Sequence, residues 1–327
     1  MRLQLMLNVG QQQAHTGIPE MPRVVVIVDT NLYRGMSDQV VDDLRSLEGR
    51  ADVQAMVSFH ATTELLSHVA APTDAGFGAS RAALKRLWAH CAVYSLNDSS
   101  LPFAPDVNGI LARTLFDRRA PWGDELAGKT TSIVKRIALS EADDSLDELS
   151  TDLGIIRRFR DDGETRFATA LREVRRQLGL DSDATSDFAA SDRPAPSDFL
   201  SSGTLRSLGA HSLVMNCASE LRLQVSEGRI VALARILEPT IPTALAVFES
   251  AVVKVVSDKA KPEKHANTYW DFQLAFFAAD SIRVSGRPVI VVTEDKPVHH
   301  AAAATGAGAR VLDLDQYRTF LLNRLAA

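Results

Sequence analysis

Cysteine is nearly missing from this chain: Cys91 and Cys217 are the only two thiols in 327 residues. Each sits in an apolar helical pattern, and no CxxC pair is present. A disulfide-stapled secreted scaffold and a zinc ribbon are therefore excluded, and a reducing cytoplasm is the expected setting. No window reaches the roughly 18 continuous apolar residues of a membrane span, so no membrane partner is expected. The opening Met1 to Val9 alternates apolar and polar residues, which suits a strand, and its apolar run is too short and interrupted for a signal sequence. A surplus of positive charge is also missing. Lys plus Arg total 36 against 41 for Asp plus Glu, a net charge of −5. A nucleic-acid binder that works by blanket positive charge is excluded, so any phosphate partner must meet a local basic patch or a cation. No internal repeat is present.

The composition is globular, with 46% apolar and 24% charged residues. The length suggests two domains or one with a large insertion. The clearest strand is Arg23 to Val28, an uninterrupted β-branched run that reads as a central parallel strand buried on both faces. Further strands are expected at Val53 to Phe59, Ala92 to Leu96, Pro288 to Thr293 and Arg310 to Leu314, with helical patterns between them. Such alternation predicts an α/β fold with a central, mostly parallel sheet flanked by helices. From about Asn97 to Ile241 the periodicity is helical, interrupted by a Ser-, Asp-, Ala- and Pro-rich linker at Asp181 to Gly203. The chain thus divides into an α/β first part (1–96), a helical insertion (97–241) and an α/β second part (242–327).

In a parallel sheet the C-terminal strand ends share one edge, where sites form. Four acids map there. Asp29 follows the first strand and Asp295 the strand ending at Thr293. Glu64 is expected in the first turn of a helix from Thr62 to Val69. Asp271 opens a helix expected to run to Val284, capped by Asn267 or Thr268 and stopped by Ser285-Gly286. That helix leads into a parallel strand, so its start returns to the same edge. Any one of these acids is explained as a strand end or by the helix dipole. Their joint placement is different, because converging carboxylates repel unless a cation lies between them or their pKa values rise. An all-oxygen donor set selects Mg²⁺ or Mn²⁺.

Val28-Asp29-Thr30-Asn31 after the strand, Thr63 to Leu66, Asp271 on its Ala-rich helix and Val292-Thr293-Glu294-Asp295 together resemble the PIN-domain nucleases. The resemblance covers about Arg23 to Leu96 and Lys264 to Phe320. It implies a three-layer PIN-like fold, Mg²⁺ or Mn²⁺ held by Asp29, Glu64, Asp271 and Asp295, and hydrolysis of phosphodiesters, usually in RNA. It also implies supporting roles for Thr30, Asn31 and Thr293. Two features depart from the family. Glu64 and Asp271 are separated by the whole insertion, and the stretch from Asp271 to Asp295 is long, which leaves Asp280 as an alternative to Asp271. Asp313 and Asp315 offer a fifth acid or simply end the last strand.

Other signals carry less. Gly123 to Thr130 matches the P-loop pattern, but no buried strand precedes it, and a turn before a helix at Thr131 to Leu139 is expected instead. Arg157, Arg158 and Arg160, with Arg172, Arg175 and Arg176 on a helix from Glu164 to Leu178, form either a solvated face or a backbone contact for nucleic acid. The acidic run Glu141 to Asp152 either pairs with them or is solvated. His299-His300 lacks a third ligand for a softer metal. The expectation is a cytoplasmic, metal-dependent endoribonuclease, with RNA as partner and the insertion shaping access or a homodimer. A small inhibitory protein is a further expected partner if the chain is a toxin. The rivals are a non-catalytic PIN-like module that binds nucleic acid or protein, and a nucleotide switch at Gly123 to Thr130.

Overall fold

The computed structural model describes residues 24–94, 101–119, 123–140, 146, 148–178, 200, 202–257 and 261–326. The predicted strand at Met1 to Val9 and most of the linker at 181–203 lie outside them.

The β-branched run becomes β1 (Val24–Val28), with all five residues buried. Burying such side chains contributes about 1.5–3 kcal/mol each, which requires cover on both faces. Alternation along the strand supplies it. Val25 and Ile27 point into one hydrophobic core, while Val24, Val26 and Val28 point into a second. β2 (Val53–Met56) lies parallel on one side of β1, with Val26 opposite Ala55. β4 (Arg287–Val292) lies parallel on the other side, with Ile27 opposite Val291. The far edge of β4 is shared by β5 (Val311–Leu312), parallel, and by the short antiparallel β3 (Arg283–Val284). The result is a small, curled, mostly parallel sheet flanked by helices in a largely helical chain.

On the side of the second core lie α1 (Thr30–Gly35), α2 (Asp38–Ala51), α3 (Phe59–Val69), α4 (Phe77–Cys91) and, beyond an intervening segment, α6 (Gly123–Leu139). The insertion continues with α5 (Val107–Phe116) before α6, then α7 (Ser150–Gln177), α8 (Ser202–Glu220) and α9 (Glu227–Leu237). After it come α10 (Pro242–Ser257), α11 (Thr268–Phe276), α12 (Lys296–Ala304) and α13 (Leu314–Ala326). Leu171, Leu205 and Val214 of the insertion share one core with Val25, Ile27, Val289 and Val291 of the sheet.

Several local expectations are corrected. The strand predicted through Phe59 stops at Met56 because Ser58 caps α3, accepting a bond from the Ala61 amide at 3.4 Å. Of the strand predicted at Ala92 to Leu96, the described residues Ala92–Tyr94 are a 3-10 turn continuing from α4. The helix predicted from Asp271 to Val284 ends at Phe276, with Asn267 at its N-cap making no side-chain capping bond. Arg283–Val284 instead pairs with β4 through a two-residue turn, Ser285-Gly286, both at positive φ (53° and 75°). That geometry matches the twist of a hairpin and favours glycine at its second position. Finally, α6 starts at Gly123, so the P-loop look-alike is helical throughout and forms no phosphate-cradling loop. Among the described residues no single helix is long and apolar enough to cross a membrane.

Candidate functional site

Two strand–helix junctions, after β1 and β4, and two helices, α3 and α11, carry acids that interact electrostatically. Asp29 leaves β1 in extended conformation and its backbone amide still bonds Val292 O at 2.9 Å, which locks it to β4. Its carboxylate is held on both oxygens. Oδ1 accepts from the Thr30 amide at 2.7 Å and lies 3.1 Å from Thr30 Oγ1, and Oδ2 accepts from Thr293 Oγ1 at 2.8 Å. Thr30 Oγ1 carries a single proton and lies closer, at 2.7 Å, to Glu64 Oε2, so it bridges the two acids. Thr293, fully buried, does the same on the other side: its hydroxyl donates to Asp29 and accepts from the Asp295 amide at 3.0 Å. Through these hydroxyls Thr30 and Thr293 link Asp29 to Glu64 and to Asp295. Asn31 sits exposed at the rim, and its Oδ1 accepts from Arg34 at 3.4 Å.

A carboxylate that merely caps a helix is favoured in its charged form. Asp29 behaves oppositely. Burial pushes its pKa up to about 6, opposed by the hydroxyl and amide donors and reinforced by the charge of Glu64. Asp271, in the first turn of α11, is pushed up to about 7, first by burial and then by Asp295, Asp29 and Glu64. Asp295 stands at the N-cap of α12 but makes no capping bond, and its Oδ1 is buried with no hydrogen-bond partner among the described residues. The four acids therefore feel one another's charge, and at least one carboxylate oxygen is left over by the protein's own hydrogen bonding.

Glu64 is in the second turn of α3 rather than the first, because the helix starts at Phe59. Its Oε1 pairs with Arg34 at 3.0 Å, and Arg34 also reaches Ser80 Oγ at 3.3 Å. Arg160 of α7 stands just behind. It bonds Ser67 Oγ at 2.9 Å and Glu164 at 2.9 Å, and its guanidinium senses the charge of Glu64. Glu164 in turn accepts from the Trp270 indole at 2.8 Å, next door to Asp271. His60, one turn before Glu64, is buried against Trp270, with ring centroids 5.4 Å apart. Burial pulls its pKa down to about 4, which keeps the ring neutral near pH 7.

Arg34 and His60 were not anticipated. Arg34 follows Asp29 by little more than a helical turn, which was the one available signal. The role of His60 depends wholly on α11 packing beside it. The other acids are placed elsewhere. Asp280 is exposed and pairs with Arg310, beyond the end of α11 opposite Asp271. Asp313 caps α13, accepting from the Gln316 amide at 2.7 Å while Gln316 Oε1 accepts from the Asp313 amide at 3.0 Å, a reciprocal capping box. Asp315 is exposed on the first turn of α13. His299 donates its Nε2 proton to Thr293 O at 2.8 Å, a fold-holding bond.

The basic residues of α7 do not form one free face. Arg175 is buried and donates to Val255 O at 2.8 Å, Arg172 pairs with Glu263 at 2.8 Å, and Arg176 pairs with Glu173 at 2.6 Å. Arg157 and Arg158 are exposed, and Arg157 faces Asp74. Of the acidic run, Glu148 pairs with Arg136 of α6 rather than with this cluster.

A hard divalent cation suits the donor set on three counts: all-oxygen ligands, two acids whose pKa values burial and neighbouring carboxylates raise, and an orphaned buried oxygen on Asp295. Among the described residues no three His, Cys, Asp or Glu side chains close on a common point. Asp271 and Asp295 instead share a hydrogen bond between their carboxyl groups, which helps to raise the pKa of Asp271. The chain matches no protein-family model, no curated protein and no solved structure.

Proposed function

We propose that this chain is a metal-dependent nuclease with a PIN-like, three-layer arrangement, hydrolysing phosphodiester bonds and acting foremost on RNA as an endoribonuclease. The observation that carries this is the electrostatic coupling of Asp29, Glu64, Asp271 and Asp295 at the C-terminal edge of a parallel sheet, with Asp29 and Asp271 raised to about 6 and about 7. Mg²⁺ or Mn²⁺ at these acids would supply charge neutralisation for a phosphoryl transition state and an activated water. The protein's part is positional. Thr30 and Thr293 fix the carboxylate plane of Asp29, Arg34 holds Glu64, and Asp295 keeps an uncommitted oxygen. The N-terminal ends of α1, α11 and α12 aim positive dipole ends at the same edge, where a phosphate would lie. The exposed Arg157 and Arg158 offer backbone contacts to a strand approaching from α7. The two buried, unpaired thiols favour a cytoplasmic setting.

Calorimetric titration with Mn²⁺ tests the site. Saturable binding is expected that is lost in Asp29→Asn and in Asp271→Asn, with protons released as these two acids ionise. A chain that binds no Mn²⁺ at these acids would instead be a non-catalytic PIN-like module.

A further inference from the structure

A second cavity lies behind α11, away from the acids. At 100° per residue, Tyr269 and Gln273 occupy the side of α11 nearly opposite Asp271. They line a cleft of about 80 Å³ shared with α5, α7, α8 and α10. At the roughly 30 Å³ a water occupies in the liquid, such a cavity holds about three waters, the room taken by one small ring.

Its walls are aromatic. Phe167 packs edge-on to Phe248 with centroids 6.1 Å apart, and Tyr269 closes the same wall 6.1 Å from Phe167. These rings are clamped. A Cβ at Gly163 of α7 would come within 2.8 Å of the Tyr269 ring, and one at Gly209 of α8 within 3.0 Å of Phe248. At Gly163 any side chain would displace Tyr269, and at Gly209 one would push Phe248 or Leu245 back by a few tenths of an ångström. The polar lining consists mainly of amides and a hydroxyl: Asn108, Asn216, Gln273 and Ser212. Gln273 is 3% exposed, and its Oε1 makes no hydrogen bond of ordinary length among the described residues, although the buried His60 ring lies close enough to interact with the amide. The cavity's two charges cancel, since Arg166 bonds Glu220 at 2.7 Å, while the other oxygen of Glu220 accepts from Asn108 at 2.8 Å. An anionic ligand would have to break that pair.

We infer that this cleft is a binding site for an uncharged, planar, hydrogen-bonding ring of the size of one nucleobase. Clamped aromatic walls select planarity, amides that donate and accept select a ring with both kinds of edge group, and the internally neutralised Arg166 rejects extra negative charge. The base can arrive free, as a nucleoside, or as an unpaired residue of a nucleic-acid strand.

The test is thermal shift and calorimetry on the full chain with the four ribonucleosides, their monophosphates and a short single-stranded oligonucleotide. At least one nucleoside should bind saturably, with one site per chain, and its monophosphate should bind no more tightly. Binding of the oligonucleotide but of no nucleoside would assign the cleft to a strand's base. Gln273→Leu should weaken nucleoside binding by roughly tenfold or more. Ser212→Phe should block the cleft and abolish binding, which keeps the test decisive if the Gln273 variant does not fold. Absence of saturable binding by every ligand at millimolar concentration, or binding unaffected by both substitutions, would overturn the inference.

Discussion

Asp271 gives the most direct residue-scale consequence. Its carboxyl holds a proton up to about pH 7 in the folded chain, against an ordinary value of 3.8. The folded state therefore binds more protons than the unfolded one between these values, and stability falls as pH rises from about 4 to about 7. In chelator at pH 8, Asp271→Asn removes the charge that burial and Asp295 oppose, so its melting temperature should exceed wild type by about 2–5 °C. Added Mn²⁺ should reverse the order by stabilising wild type alone. A variant that melts lower in chelator would place Asp271 outside the repulsive cluster. The buried Thr293 hydroxyl joins Asp29 to Asp295, and Thr293→Val should cost about 1–2 kcal/mol in chemical denaturation, since it leaves an acidic oxygen short of a donor. Asp29 and Asp295 are legible from the sequence because a strand's end fixes them regardless of what surrounds it, whereas the reasoning for Asp271 assumes a helix running straight into β4, and in the structure α11 ends at Phe276 with the antiparallel β3 between. Arg34 and His60 are not, because a guanidinium's partner or a ring's burial is decided by helices distant in the chain.

Among the elements, α2, α4 and α13 are tied by a buried polar knot. Glu48, fully buried, accepts from His90 Nε2 at 2.8 Å, Tyr317 Oη at 2.7 Å and Tyr94 Oη at 3.0 Å, while Tyr33 Oη lies 2.7 Å from His90 Nδ1. Burial opposes the charge on His90, but Glu48 and the neighbouring Cys91 outweigh it and hold the imidazolium to about 10. A histidine raised from its ordinary 6.5 contributes stability that is complete below that value and is lost as pH climbs through about 10. Melting temperature should therefore decline steadily across the alkaline range, and a flat profile there would contradict a charged His90. Removing one partner strands the other, so His90→Ala should cost about 3–5 kcal/mol in urea unfolding. The elements also show where periodicity fails. Ala92–Tyr94 has strand-like residues, yet it stays helical in hand because its Tyr94 hydroxyl is drawn back to Glu48. The P-loop look-alike has the spacing without the preceding strand, and local helix propensity prevails. Ser285-Gly286 fits a helix stop as well as a hairpin turn, since Gly marks both, and only β4 beside it decides which.

At the scale of the molecule, the insertion is packed into the sheet's own core. Leu171, Leu205 and Val214 meet Val25, Ile27 and Val291 in one cluster. Calorimetry should therefore show these parts melting in one transition, and a chain joining residues 1–96 directly to 242–327 should fail to fold, its β1 face stripped of cover. Two resolved transitions would show the insertion to be an independent unit. The alternation of strands and helices, and with it the mixed α/β class, was legible because buried β-branched runs have few other uses. The docking of the insertion was not, because amphipathic helices declare an apolar face without naming what covers it. Metal-dependent phosphodiester cleavage at the acidic edge is read by incubating the purified chain with end-labelled RNA and DNA in Mg²⁺, Mn²⁺ or chelator, alongside Asp29→Asn. Wild type is expected to cleave in Mn²⁺ or Mg²⁺, RNA better than DNA, with no cleavage in chelator and none by a folded Asp29→Asn. Cleavage that survives chelation, or full activity in Asp29→Asn, would contradict a metal-dependent nuclease at these acids.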